Sequence, residues 1–169
     1  MNGLDPAVLR GCFGTFATGV TVVTAGSETP RGMTANSFAS VSLDPPLVLV
    51  CVLKSAAMHE AVLAENAFAV SVLSAEQEKL ARYFADRGRP RGDREFASVD
   101  WLPGPHTGAP IIEDCLAWIE CDLAQTYDGG DHSIFLGAVL GQGRGPADDA
   151  LLFHGGGFHR LATVAARFS

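Results

Sequence analysis

The sequence predicts a mainly β fold: one antiparallel barrel of six to eight strands, flanked by two or three short helices. Three observations carry it. Short β-branched or apolar runs recur along the chain and outnumber the helical patterns. Strands and helices seldom alternate, which argues against a doubly wound parallel sheet. Turn-rich connections such as 26–32 and 141–146 separate the runs, and neither an internal repeat nor a domain linker is visible.

The elements follow in order. Asp5-Pro6 reads as a helix N-cap followed by proline in the first turn. Leu9, Phe13 and Phe16 then recur at helical spacing, giving a short amphipathic helix over 6–16. Residues 20–24 are β-branched, and after the 26–32 connection the strand pattern resumes over 33–42, so the two form a hairpin with a long loop. Pro45-Pro46 precedes a strand over 47–53. Ser55 is placed to cap a helix over 56–64, and 68–73 is again a strand. Ser74 and Gln77 have capping-box spacing ahead of a helix whose buried stripe is Leu80, Tyr83 and Phe84. The Gly-, Pro- and Arg-rich stretch 87–110 reads as a long surface excursion. Strands over 116–127, 133–141 and 151–161 complete the set, with Gly155-Gly156-Gly157 as turn glycines.

Composition bounds the function. With 169 residues, 47% hydrophobic and 18% charged, the chain is expected to form one domain over 1–169 around a sizeable core. So high an apolar share points to burial between subunits. The net charge of −7 argues against a nucleic-acid surface. One basic cluster, Arg82, Arg87, Arg89, Arg91 and Arg94 with Asp86 and Asp93 between, is either a solvated loop or a local attraction for an anionic dinucleotide. The longest apolar run, 46–53, is too short to span a membrane, and no signal peptide opens the chain, so a cytoplasmic protein is expected. Cys12, Cys51, Cys115 and Cys121 lack the spacing of a zinc ribbon or redox pair. The histidines are scattered, so no metal is expected.

No dinucleotide fingerprint, P-loop or nucleophile elbow is present, so any reactive atoms belong to a cofactor. Residues 34–42 alternate small and hydroxylated side chains with larger ones. They suit either close approach to a flat ring or an ordinary strand with one polar face. Lys54-Ser55 at a helix start is either a phosphate seat or a plain cap. Gly130-Asp131-His132 reads, in isolation, as a plain strand-to-strand turn. His154 reads as structural and Trp118 as core or subunit interface.

Gly130-Asp131-His132 stands just before the strand-like run 134–139. Upstream stands Met33-Thr34-Ala35-Asn36-Ser37-Phe38-Ala39-Ser40-Val41-Ser42, followed by Asp44-Pro45-Pro46. Together with Phe16-Ala17-Thr18-Gly19-Val20-Thr21-Val22, Ala109-Pro110-Ile111-Ile112-Glu113 and Leu116-Ala117-Trp118, this order resembles the flavin reductase-like family over nearly the whole chain. The resemblance implies an FMN-binding split barrel, usually dimeric. Its activity would be reduction of FMN or FAD by hydride from NADH or NADPH, with the reduced flavin passed to a partner monooxygenase.

By the same resemblance Met33, Thr34, Ala35, Asn36, Ser37, Ala39 and Ser40 line the flavin. Leu53, Lys54 and Ser55 lie near its ribityl phosphate, and Phe84 and Ala85 approach it. Gly130, Asp131 and His132 belong to the nicotinamide side, and Phe158 lies near the C-terminal strand, which approaches the nicotinamide or the flavin. His132 would position the nicotinamide, not abstract a proton, and no side chain is assigned bond-making chemistry. The competing readings are a flavoredoxin-like electron carrier that retains FMN, an oxidase resembling the pyridoxamine-phosphate oxidases, and a non-catalytic flavin- or haem-binding module. The choices FMN or FAD and NADH or NADPH stay open.

Overall fold

The computed structural model describes residues 3–161; the two ends of the expected 1–169 domain lie outside them. The chain opens with α1 (Pro6–Phe13), where Asp5 accepts a 2.8 Å bond from the Ala7 amide and Pro6 takes the first helical position. Start and cap are as the sequence predicts. The helix nevertheless ends at Gly14, short of residue 16, and none of its residues is buried. Phe13 and Phe16 are 68% and 77% exposed. Helical spacing created the stripe, but among the described residues no surface of this chain covers it.

β1 (Thr18–Gly19), β2 (Thr21–Ala25) and β3 (Arg31–Ala35) follow, with β2 and β3 paired as the expected hairpin. The single strand expected over 33–42 is broken at 36–38. The Ser37 hydroxyl accepts from the Cys51 amide and donates to the Cys51 carbonyl, each at 3.0 Å. This turns the chain off β2, so that β4 (Ala39–Leu43) pairs with β5 (Pro46–Leu53) instead.

Helix α2 (Ala57–Glu65) begins at Ala56 with no side-chain cap, so Ser55 is not the cap the sequence predicts. It ends on Asn66 in the left-handed conformation, and β6 (Ala67–Val72) follows. The Ser74 amide donates to Gln77 Oε1 at 3.0 Å, the predicted capping contact, and a 3₁₀ turn runs into α3 (Glu78–Ala85).

The 87–110 stretch is only partly a surface excursion. Glu95 and Phe96 are 1% and 6% exposed, and β7 (Trp101–Pro103) pairs with β8 (Pro110–Ile112). Phe96 is drawn inward between the rings of Phe84 and Trp101. The long strands β9 (Ala117–Gly129) and β10 (His132–Arg144) form a hairpin around Gly130-Asp131. Gly130 has φ 79°, the positive value that a two-residue turn of this kind requires at its first position. The strand expected over 151–161 folds back on itself as β11 (Leu151–His154) and β12 (Gly157–Arg160), because Gly155 and Gly156 turn the chain.

Seven antiparallel strands run in the order β3-β2-β6-β9-β10-β5-β4, and β3 also approaches β5, so the sheet curls toward closure. Val23, Ala35, Val50, Phe68, Cys121 and Phe135, from six different strands, meet with Met58 and Val62 of α2 in one core. A second core of Val20, Val22, Leu73, Ala81, Phe84, Phe96, Ile112 and Leu151 packs α3 and the 95–99 segment on the other side of β2. Strand β2 is therefore buried on both faces, which explains its run of apolar and β-branched residues without polar alternation. The expected mainly β, antiparallel class with a few short helices is the one that forms.

Candidate functional site

A cleft of about 450 Å³ opens where four pieces of chain converge. β3 supplies Arg31 to Thr34, and the junction of β5 with α2 supplies Leu53 and Ser55 to Met58. The end of α3 supplies Phe84 and Ala85, and the loop beyond it adds Arg87, Arg89, Arg91 and Glu95. The convergence depends on Gly32. A Cβ there would lie 2.3 Å from Phe84 Cε1, so only glycine lets α3 lie this close to β3. Thr34 adds a tie between the same elements by donating a 2.7 Å bond to the Ala81 carbonyl.

Glu95 forms the buried base of the cleft. Its carboxylate accepts from Arg89 Nε at 3.1 Å and Nη2 at 3.0 Å, from Arg31 Nη1 at 3.2 Å, and from the Gly32 amide at 3.1 Å. Arg89 also bonds the Gly32 carbonyl and, at 2.8 Å, the Asp86 carbonyl, and its guanidinium lies 5.7 Å from the Phe84 ring centre. A buried carboxylate is tolerated because it is paired and fully hydrogen-bonded. With two further arginines on the lining, the cleft carries net positive charge. The first turn of α2 faces the same space without a side-chain cap, so its free amides add to the attraction for an anion. The arrangement suits an anionic ligand with an apolar body.

Beside the cleft stands the β9–β10 turn. His132 lies directly across from Leu53 in the β10–β5 register, so the two share a face of the sheet, while Ser133 and Val52 face the interior. Asp131 Oδ1 bonds His132 Nδ1 at 2.7 Å, which orients the ring and holds the Asp131 carboxyl below the ordinary carboxylate range. Lys54 pairs with Asp128, lowering that carboxyl's pKa as well, and donates at 2.7 Å to the Gly130 carbonyl.

Of the residues singled out in the sequence, Met33, Thr34, Leu53, Ser55, Phe84 and Ala85 line the cleft. Lys54, Gly130, Asp131 and His132 form the adjoining turn region. Ala35 is buried in the core, whereas Asn36, Ala39 and Ser40 are exposed and Ser37 is engaged with Cys51. Phe158 sits on the separate three-stranded sheet, 5.4 Å from Phe153 and under the Arg82 guanidinium. Sequence reasoning did not single out Arg31, Gly32 or Glu95. The arginine run after α3 signalled a basic cleft, but nothing in the sequence marks Glu95 as buried. No cluster of His, Cys, Asp and Glu among the described residues is placed to hold a metal ion.

Comparison with known proteins gives a consistent result. A family model described as a flavin reductase like domain matches residues 13–162. An NADH-dependent FAD reductase of Streptomyces globisporus is 56% identical over 161 residues, which is 95% of this chain and 88% of that protein. The reductase subunit HsaB of a flavin-dependent monooxygenase from Mycobacterium tuberculosis is 40% identical over 92% of this chain and 82% of its own length. Among solved structures, the S. globisporus C-1027 NADH:FAD oxidoreductase SgcE6 in complex with NAD and FAD fragments superimposes with a TM-score of 0.90. It is 52% identical and covers 98% of this chain and 100% of its own. BorF, the flavin reductase component of a bacterial two-component tryptophan halogenase, gives 0.89 at 53% identity, over 93% of this chain and 98% of its own.

Proposed function

The chain belongs to the flavin reductase-like family, and on that premise we propose that it reduces flavin with NADH and passes the reduced flavin to a partner monooxygenase. The observation that carries this reading is the combination of the basic cleft with 56% identity, over nearly the whole chain, to an NADH-dependent FAD reductase. FAD is the acceptor and NADH the donor, in keeping with that relative's description as an NADH-dependent FAD reductase. A bound flavin would supply the redox chemistry, as acceptor of hydride from reduced nicotinamide.

The residues of this chain bind and orient. Met33 and Thr34 of β3 line the cleft on the side taken by a flat ring, with Ala35, Asn36, Ser37, Ala39 and Ser40 following them along the chain. Leu53, Ser55, Phe84 and Ala85 bound the cleft, whose arginines and uncapped helix end suit a phosphate. His132, held by Asp131 on a turn braced by Lys54, orients the nicotinamide, and Phe158 belongs to the separate C-terminal sheet, where it packs against the core that includes Phe84.

The working unit is a homodimer of one-domain chains. Exposed Val8, Phe13 and Phe16 near the N-terminus, and Val41 and Leu43 on edge strand β4, support this, because such apolar surface on a lone protomer calls for a cover. The enzyme acts in the cytoplasm, where NADH is available; among the described residues no helix is long and apolar enough to cross a membrane.

NADH and NADPH oxidation at 340 nm, with and without FMN, FAD or riboflavin, tests the reading. Turnover that requires added flavin is expected. Yellow protein that turns over without added flavin would favour a bound prosthetic group, and flavin binding without any turnover would leave a binding module.

A further inference from the structure

Arg31 and Arg89 both meet Glu95, but on different terms. Arg89 spends four hydrogen bonds on Glu95, Gly32 and Asp86, and only 18% of its side chain is exposed. Its five N–H donors are nearly used up, so it works as a strut between the loop and β3. Arg31 makes a single side-chain hydrogen bond among the described residues, from Nη1 to Glu95 Oε2 at 3.2 Å, and 31% of its side chain is exposed. It lines the cleft with most of its donors uncommitted.

Glu95 divides its two oxygens accordingly. Oε1 serves Arg89 and the Gly32 amide, and Oε2 serves Arg31. Glu95 itself is 1% exposed. A carboxylate so deep at the base of the cleft offers little surface to a ligand, and its visible effect is to fix one guanidinium edge of Arg31. The free edge then has few rotamers left, which lowers the entropic cost of pairing with a phosphate.

We propose that Glu95 is a positioning residue that presents Arg31 to the phosphate of a flavin nucleotide, and that Arg31 sets the preference for phosphorylated flavins over riboflavin. This rests on the flavin reductase reading above and adds to it the residue pair that reads the phosphate.

Dissociation constants for riboflavin, FMN and FAD, measured by quenching of flavin fluorescence, test it without relying on turnover. Arg31→Ala is expected to weaken FMN and FAD by about tenfold and to leave riboflavin nearly unchanged, the loss expected for one charge-assisted contact. Glu95→Gln is expected to act in the same direction. In the Arg31→Ala background it is expected to add nothing to the FMN-to-riboflavin ratio, because its effect passes through Arg31. Equal weakening of all three flavins would make the pair merely structural and overturn the proposal. So would Arg31→Ala leaving flavin binding intact while raising the KM for NADH, since the guanidinium would then serve the dinucleotide. If Glu95→Gln fails to fold, Glu95→Asp keeps the charge while shortening its reach. Reduced FMN discrimination in that variant supports the proposal, and unchanged discrimination overturns it. Wild-type protein that binds all three flavins equally would sink this proposal alone, whereas wild-type protein that binds none would sink the functional reading itself.

Discussion

Lys54 Nζ donates a 2.7 Å hydrogen bond to the Gly130 carbonyl, and the Lys54 amide donates at 2.9 Å to the carbonyl of Asp131. The end of β5 is thereby tied to the turn that carries His132. The ammonium group is matched by Asp128. The work of Lys54 that this geometry makes visible is bracing the turn, a role that the sequence alone does not indicate.

Removing the imidazole tests the turn's role. His132→Ala is expected to lower kcat/KM for NADH by about tenfold, a loss comparable to that of one well-oriented polar contact, while flavin binding stays unchanged. Steady-state kinetics with NADH varied at saturating flavin provide the measurement. An unchanged kcat/KM would remove His132 from the nicotinamide side.

Gly32→Ala tests the packing beneath the cleft. The added methyl group would lie 2.3 Å from Phe84 Cε1, and Phe84 is only 1% exposed, so α3 must shift. A destabilisation of about 1–3 kcal/mol is expected from overpacking, measured by urea unfolding, together with weakened flavin binding.

The four cysteines are free and differ sharply in access. Burial pushes the Cys121 thiol up to about 12, and burial raises Cys115 too. A thiol reagent at pH 8 is expected to modify exposed Cys12 quickly and to reach Cys115 and Cys121 only after denaturant is added. Fast modification of Cys121 in native protein would contradict its place in the barrel core.

Acid stability follows from three surface pairs. Hydrogen bonds from Arg160, Lys54 and His132 hold the carboxyls of Glu76, Asp128 and Asp131 below their ordinary values. A depressed folded-state pKa stabilises the fold above the unfolded value, about 4, and that contribution disappears as pH falls through the folded value. Thermal unfolding between pH 6 and pH 3 is expected to show Tm falling at the acid end. Replacing the three carboxylates by amides should make that fall shallower.

Much of the fold was legible because its signals are local. Asp5-Pro6 starts a helix, Ser74 and Gln77 form their capping contact, and Gly155-Gly156 turn the chain, since each depends on neighbours a few residues away. Signals that needed a distant partner misled. Ser37 breaks an apparently continuous strand because it meets Cys51, and Phe13 and Phe16 form a stripe that the described residues leave uncovered. Phe96 is buried within a stretch whose composition reads as surface, because Phe84 and Trp101 flank it.

The candidate site divides along the same line. By itself the sequence determined the class of fold, the resemblance to a flavin reductase, and the Gly130-Asp131-His132 turn, for these rest on residue type, order and short-range backbone preference. Only the tertiary structure decided that Arg31, Gly32, Phe84, Arg89 and Glu95 share one cleft. A part-buried ion pair between a strand and a loop 64 positions apart leaves no periodicity to read, because burial and charge pairing arise only when the chain has closed on itself.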